Sequence, residues 1–196
     1  MPRTTAKALD SRQRFIDVAL GLFTRHSFAG TSLQMIAAEL GVTKSAVHHH
    51  FRSREDLLLA VIEPLAGQLR AAVEAAEAIR GHHARAERLL IGFVDIVVHH
   101  KSLMSLLSGD PGVIEMLRAH PELSALSQRQ MALFAGVEAG PAGEVKASVV
   151  TRGLAGAAAN PALGLDDREL HAHLCAVGRL TLGLPKPRPT TAENPL

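Results

Sequence analysis

The sequence predicts an all-α protein: a small N-terminal three-helix head containing a helix-turn-helix, followed by a larger helical body, with about nine helices in all. Three observations lead to this fold class. Apolar residues recur at helical spacing along most of the 196 residues, and no segment has the pattern of a strand. Glycine and proline interrupt this pattern at intervals of one helix length. Apolar residues make up 47% of the chain, which is enough for a buried core although aromatic residues are only 3%.

Composition also limits where the protein works. Cys175 is the single cysteine, so a disulfide framework within the chain is excluded and a reducing compartment fits. The N-terminus has no apolar run typical of a secretory signal, and no stretch approaches the roughly 20 apolar residues that span a bilayer. We therefore expect a soluble, cytoplasmic protein with no membrane partner.

Charge is distributed unevenly along the chain. Residues 1–54 hold eight Lys and Arg against three Asp and Glu, whereas residues 55–196 hold thirteen against sixteen. A basic N-terminal quarter on a near-neutral body indicates a polyanion bound at one end. Charge also drifts by chance between segments, so this excess is modest evidence when taken alone.

Residues 31–51 (TSLQMIAAELGVTKSAVHHHF) predict two short helices joined by a tight corner. Thr31 followed by Gln34 matches a capping-box pattern, which makes Thr31 the expected N-cap of the first helix. Gly41 ends that helix, because glycine accepts the left-handed backbone that a sharp exit needs. Thr43 then caps the second helix.

The second helix presents a short polar and partly cationic surface. Val47 and Phe51 are four residues apart and face inward, which leaves hydroxyl, imidazole and ammonium groups outside. Such groups suit a helix in a DNA major groove, although helix pairs with a glycine turn also occur as plain packing units. His50 is expected to lie partly against the scaffold, and Arg54 to meet a phosphate at a helix start. The candidate DNA contacts are Thr31, Thr43, Lys44, Ser45, His48, His49, His50 and Arg54.

The residues around this stretch strengthen the DNA-binding interpretation. An amphipathic helix containing ALGLF, the block AGTSLQMIAAELGVTK, and the pieces HHF, RSRE and DLL follow one another in order. Together, over residues 12–63, they resemble the DNA-binding domain of the TetR (tetracycline repressor) family. His48 departs from the pattern, since the family usually has tyrosine there. The resemblance implies a ligand-responsive regulator, most often a repressor, that binds a palindromic operator as a homodimer and is released by a small effector.

Four regions follow from this interpretation. Residues 1–9 form a flexible arm, residues 10–54 the helix-turn-helix domain, residues 55–184 the effector-binding and dimerisation body, and residues 185–196 a disordered tail. The long helix that starts after Ser53 is expected to kink or break at Pro64. Asp166 and Glu169 predict a capping box for the last helix.

The resemblance also implies two sites in the body. Its last two helices are expected to pair with their copies in a second subunit, and the effector should be mainly apolar because charged inward groups are scarce. Apolar residues at helical spacing are more often plain core than pocket. The candidate pocket residues are Phe93, Val97, Met104, Leu107, Met116, Leu117, Met131 and Phe134. The candidate dimer residues are Val149, Gly153, Ala157, Leu170, Leu174, Val177 and Thr181.

Two other function classes stay open. The eleven histidines and Cys175 allow a metal- or redox-responsive regulator on the same scaffold, although adjacent helical histidines diverge and chelate poorly. A helical interaction protein with a purely structural helix-turn-helix is the other. No phosphate loop, nucleophile elbow or zinc-protease motif occurs, so we expect no enzyme, no metal and no cofactor.

Overall fold

The computed structural model describes the backbone of residues 3–185 and the side chains of residues 11–185. Within those residues the protein is all-helical, which confirms the predicted fold class, with ten α-helices and one short 3₁₀ turn at Pro161–Leu163. The helices are α1 Arg3–Gly30, α2 Leu33–Glu39, α3 Lys44–His50, α4 Arg54–Glu77, α5 His82–His99, α6 Lys101–Gly109, α7 Pro111–Ala119, α8 Pro121–Ala135, α9 Pro141–Ala158 and α10 Asp167–Leu182.

The N-terminal head consists of α1, α2, α3 and the first turns of α4. Apolar residues from all four helices meet in its core, and those that are at most 1% exposed include Ala19, Phe23, Ile36, Val47 and Leu58. Burying an aromatic side chain such as Phe23 removes a large apolar area from water. The head is therefore a packed scaffold on which the outward side of α3 is carried.

The first helix is longer than the sequence predicts. Residues 3–9 are helical and belong to α1, where a flexible arm was expected. The backbone of α1 departs from helical geometry at Ser27, with φ 64° and ψ 164°, which makes a kink before its last turn. Residues 186–196 lie outside the described residues, and so does nearly all of the predicted tail.

The long helix α4 runs without a break from Arg54 to Glu77. Pro64 lies inside it on an exposed side, so the pyrrolidine ring meets solvent rather than a packed neighbour. The expected break at Pro64 was therefore wrong, and the alternative expectation of a kink stays a prediction. Ser53 caps the helix by accepting a hydrogen bond from Asp56 N at 2.9 Å, and the helix starts after Ser53 as expected. α4 thereby connects the head directly to the body.

The body is arranged around α5, which packs against α4, α8, α9 and α10. Its buried side includes Leu89, Leu90, Val94 and Val97, none of which is measurably exposed. α10 comes so close to α5 that a Cβ on Gly178 would lie 2.5 Å from Leu90 Cδ1. The Asp166–Glu169 capping box predicted for α10 is present.

No single helix within residues 3–185 is long and apolar enough to cross a membrane. The helices His82–His99 and Lys101–Gly109 satisfy the length and composition criteria only when taken together, and they meet at an angle of 97°.

Candidate nucleic-acid interface

The position of α3 is fixed by its own ends and by its buried side. Gly41 turns the chain with φ 64°, and Thr43 caps α3 by accepting a hydrogen bond from Ala46 N at 3.2 Å. Val47 is fully buried and Phe51 is 3% exposed, so both anchor the helix in the head core. A helix held in this way keeps its remaining side chains in one fixed presentation.

The opposite side of α3 is exposed and polar. Lys44, Ser45, His48 and His49, which we call the α3 polar face, are all exposed, as the sequence predicts. Thr43 beside them is also exposed. No ion pair involves Lys44 among the residues that the structure describes. This face therefore offers an ammonium group, hydroxyls and two imidazoles to a partner.

His50 lies between this face and the scaffold. Its ring is 5.2 Å from the Phe15 ring and 5.4 Å from the His49 ring, and it is half-buried. Arg12 adds a positive charge at this end, with its guanidinium carbon 5.1 Å from the centre of the Phe51 ring. Arg52 is also exposed nearby in the chain. Sequence reasoning omitted both arginines, although their contribution to the N-terminal charge excess could have indicated them.

Thr31 does not have the role that the sequence predicts. It is 2% exposed, and its hydroxyl donates to Ser27 O at 2.8 Å and to Leu22 O at 3.2 Å. Ser32 is the N-cap of α2 and accepts from Met35 N at 3.2 Å. The assignment of Thr31 as cap was wrong because the adjacent Ser32 also carries a hydroxyl that can cap the helix, although only Thr31 has a glutamine three residues on. A buried hydroxyl already bonded to α1 cannot meet a phosphate here.

Arg54 is also engaged within the protein. Its Nη1 donates to Phe28 O at 3.2 Å and to Ala29 O at 3.1 Å, and its guanidinium lies 4.4 Å from the centre of the Phe28 ring. Its Nε also approaches Glu55 at 3.4 Å. In this structure Arg54 therefore holds the end of α1, which is not the phosphate contact expected from its position at a helix start.

Two of the residues predicted to line the effector pocket pack against each other. Phe93 and Phe134 are buried and meet edge to face with ring centres 6.2 Å apart. Two open clefts occur elsewhere among the described residues. One of about 310 Å³ lies between α6, the turn after α9 and α10, and one of about 490 Å³ lies between α1, α6 and α7. Neither is lined by any of the eight candidates: Phe93, Val97, Met104, Leu107, Met116, Leu117, Met131 and Phe134.

Part of the predicted dimer surface is also buried inside one subunit. Leu170 and Leu174 are 5% and 4% exposed, so they cannot meet a second chain. They were misassigned because α10 has apolar residues on more than one side. The other candidates stay accessible: Val149, Gly153 and Val177 are exposed, and Ala157 and Thr181 are half-buried.

Two residues that the sequence reasoning omitted complete an exposed apolar surface. Val145 is 62% exposed and Leu180 is 83% exposed. With Val149 at 53% and Val177 at 54%, they form what we call the α9–α10 apolar face. Six large hydrophobic residues are exposed in the described part of the chain, and four of them belong to this face. A concentration of this kind marks a contact surface.

The metal and redox alternatives gain little from the geometry. Within the described residues no three His, Cys, Asp or Glu side chains are grouped so that they could hold a metal ion. His171 Nε2 lies 2.9 Å from Asp95 Oδ1 on the surface between α10 and α5. Burial raises the pKa of the Cys175 thiol, which keeps it protonated and unreactive.

A packed helical scaffold in which α2 is joined by a tight turn to the capped, outward-facing α3 defines the class of helix-turn-helix proteins. Residues 15–61 match the family model described as "Bacterial regulatory proteins, tetR family". The HTH-type transcriptional regulator AcrR of Shigella flexneri is 39% identical over 61 residues, which cover 31% of this chain and 28% of that protein. The regulator UidR of Escherichia coli K12 is 30% identical over 106 residues, covering 54% and 47%.

A structural comparison extends the likeness to the body. A tetR-family regulatory protein from Rhodococcus RHA1 has a TM-score of 0.67 at 20% identity, covering 89% of this chain and 98% of that one, and shows a shared fold. The sequence likeness to AcrR spans little more than a quarter of that regulator. The N-terminal part of the chain is thus similar in sequence to TetR-family transcriptional regulators, and the described fold is similar to that of a tetR-family regulatory protein. The relatives named here are described as transcriptional regulators, and the structural neighbour as a regulatory protein.

Proposed function

We propose that this protein is a homodimeric repressor that binds a palindromic operator by inserting α3 into the major groove. The observation that carries this proposal is the α3 polar face, which is exposed and cationic on a helix whose other side is locked into the core. Hydroxyl and imidazole groups suit base edges, and the Lys44 ammonium suits a phosphate. In this division residues 10–54 bind DNA and residues 55–184 carry regulation and dimerisation.

The α9–α10 apolar face supports the homodimer. α9 and α10 pack against each other, and each carries two of the four exposed apolar residues. A two-fold axis through such a surface brings the same residues together from both chains. The dimer then presents two copies of α3, which read two half-sites separated by about one turn of DNA or more.

We infer that the effector is small and mainly apolar, and that it acts through the body. Aliphatic and aromatic side chains dominate the core of the body, and its described interior holds few charged groups. Because Phe93 and Phe134 are buried and in contact with each other, an effector that bound between them would need a different arrangement of these side chains. An effector releases DNA only through its difference in affinity between the two arrangements.

The proposal is tested with the purified full chain and random-sequence duplexes. Repeated selection should enrich a palindrome whose half-sites reveal the spacing of the two α3 helices. Binding to that duplex should weaken steeply with salt, because phosphate contacts release counterions. Enrichment of no sequence, or binding that salt does not change, would favour a helical interaction protein with a structural helix-turn-helix.

A further inference from the structure

We propose that Asp110 latches the head to the body by binding the kinked backbone of α1, and that this latch sets the angle at which the head meets DNA. The latch consists of Ser27, Phe28, Arg54 and Asp110, which come from α1, the start of α4 and the turn between α6 and α7. Its consequence for DNA rests on the proposed function, whereas the latch itself rests on contacts within one subunit.

The kink at Ser27 is a strained conformation. Ser27 is the one non-glycine residue with positive φ in the described part of the chain, and its φ of 64° and ψ of 164° lie in a region used almost entirely by glycine. Its hydroxyl accepts a hydrogen bond from Gly30 N at 3.2 Å. A serine stays in such a conformation only when surrounding contacts hold it, so the residues that contact the kink are expected to stabilise it.

Asp110 is one of those neighbours, and its carboxylate serves two helices. One oxygen, Oδ1, accepts from Gly112 N at 2.9 Å and from Val113 N at 3.3 Å, which caps α7. The other, Oδ2, accepts from Phe28 N at 2.5 Å, across 82 residues of chain. Asp110 is 8% exposed, so water competes little for this charged acceptor.

Phe28 is held from the opposite side by α4. The Arg54 guanidinium lies over its ring and donates to its carbonyl oxygen at 3.2 Å. The Phe28 ring also packs against Phe23 with ring centres 5.4 Å apart, which joins it to the head core. Phe28 is thus held at its amide N–H by Asp110 of the body. Its carbonyl oxygen is held by Arg54 of α4, the helix that links head and body.

A cleft lies beside the latch, at the junction where α1 also contacts α6 and α7. Its volume is about 490 Å³, and its walls come from the end of α1 on one side and from α6 and the start of α7 on the other. Since Ser27 and Asp110 both line the cleft, the latch borders open space. Breaking the hydrogen bond between Phe28 and Asp110 should therefore loosen the head without collapsing a core.

Asp110→Asn is the variant that separates the latch from the helix cap. Asparagine keeps one oxygen for the α7 amides and is as good an N-cap as aspartate. Its NH₂ group replaces the second oxygen and meets the Phe28 N–H donor to donor, so the hydrogen bond to the head is broken. The matched control is Asp166→Asn, because Asp166 caps α10 by accepting from Glu169 N at 2.8 Å and does not contact the head.

The first measurement is amide hydrogen exchange of the full chain without DNA. In Asp110→Asn we expect exchange in residues 27–32 to be at least tenfold faster, while the amides of α7 keep their protection. Asp166→Asn should leave residues 27–32 unchanged. Equal exchange of these residues in the native chain and Asp110→Asn would overturn the latch. If Asp110→Asn does not fold, Asp110→Ser replaces it, because serine can cap α7 but is too short to reach Phe28.

The second measurement compares the selected operator with the same duplex carrying one extra base pair between its half-sites. The native chain should lose at least tenfold in affinity on the longer duplex, and Asp110→Asn less than threefold, because freed heads adapt to spacing. Both should bind a single half-site equally. An undiminished spacing penalty in Asp110→Asn would overturn the control of head angle. If the native chain binds no duplex, the proposed function fails, and hydrogen exchange alone decides the latch.

Discussion

The protein has two exposed helix surfaces of opposite character, at opposite ends of the chain. The α3 polar face carries Lys44, Ser45, His48 and His49, whereas the α9–α10 apolar face carries valine and leucine side chains between 53% and 83% exposed. Exposed polar groups on a small helix need no partner for stability. Exposed aliphatic groups in one patch remain in contact with water unless a partner covers them.

This contrast shows how the two surfaces divide the work. The α3 polar face stays hydrated in the free protein, and on binding its groups exchange water for phosphates and base edges. The apolar face gains most from a permanent partner, and a second copy of the same chain always supplies a matching surface. The largest expected effects therefore belong to the apolar face and to the core, and smaller ones to the polar face.

A charge placed in the apolar face should have the largest effect. Leu180→Glu puts two like charges near the two-fold axis of the proposed dimer, and such a juxtaposition costs several kcal/mol. We expect the variant to sediment as a monomer and to bind the operator at least a hundredfold more weakly. Val42→Glu, at a side chain 40% exposed in the head, serves as the sedimentation control and should remain dimeric. A dimeric Leu180→Glu would remove this face from the interface.

The scaffold under the polar face should be far more sensitive than the face itself. Phe23→Ala removes a side chain that is 1% exposed and should lower the free energy of unfolding by about 3–5 kcal/mol. Ser45→Ala, on the polar face, should change it by less than about 0.5 kcal/mol. Chemical denaturation of both variants checks the difference. Equal decreases would mean that the head does not have separate buried and outward sides.

A single phosphate contact should produce a smaller effect. Lys44→Ala should weaken binding to every duplex and flatten the slope of log K against log salt concentration by about 0.9 for each phosphate that is no longer neutralised. Lys101→Ala removes a lysine of the body and is the control, which should keep the native slope. A change in sequence preference with an unchanged slope would show that Lys44 reads a base.

The smallest expected effect concerns pH and the body. Burial, and to a lesser degree the neighbouring His99, lower the pKa of His100 below its ordinary value of 6.5, and His100 Nε2 lies 3.2 Å from Gln68 Oε1. Because the unfolded chain then binds this proton more tightly, stability should fall as pH drops below about 6.5. His100→Gln should flatten the dependence of stability on pH between about 5 and 7, as thermal unfolding would show. If His100→Gln left the pH dependence of stability unchanged, groups other than His100 would be responsible for it.

The head could be predicted well because its signals are local. The glycine corner, the Thr43 cap, the Ser53 cap and the buried Val47 each follow from residues only a few positions apart. The misassignment of Thr31 arose where two adjacent hydroxyl residues competed for one cap. The bonds from Thr31 to Leu22 and Ser27 decided this competition, and no local pattern records them.

The body could be predicted only as a set of helices. Leu174 and Val177 both fit an apolar stripe of α10, yet Leu174 faces the core and Val177 faces solvent, because α5 and α9 pack on α10 from particular directions. The same limit applies to the pocket, since spacing cannot tell whether Phe93 and Phe134 leave a space or fill it. The hydrogen bond between Asp110 and Phe28 spans 82 residues and lies beyond any sequence pattern.

The histidines allow the central claim to be measured directly, because His48 and His49 lie on the α3 polar face whereas His171 and His173 lie on α10. Their imidazole resonances can be followed by NMR as the selected duplex is added to the full chain. We predict that the resonances of His48 and His49 shift and broaden while those of His171 and His173 keep their positions. Shifts confined to the α10 histidines, with His48 and His49 unchanged, would contradict the insertion of α3 into DNA.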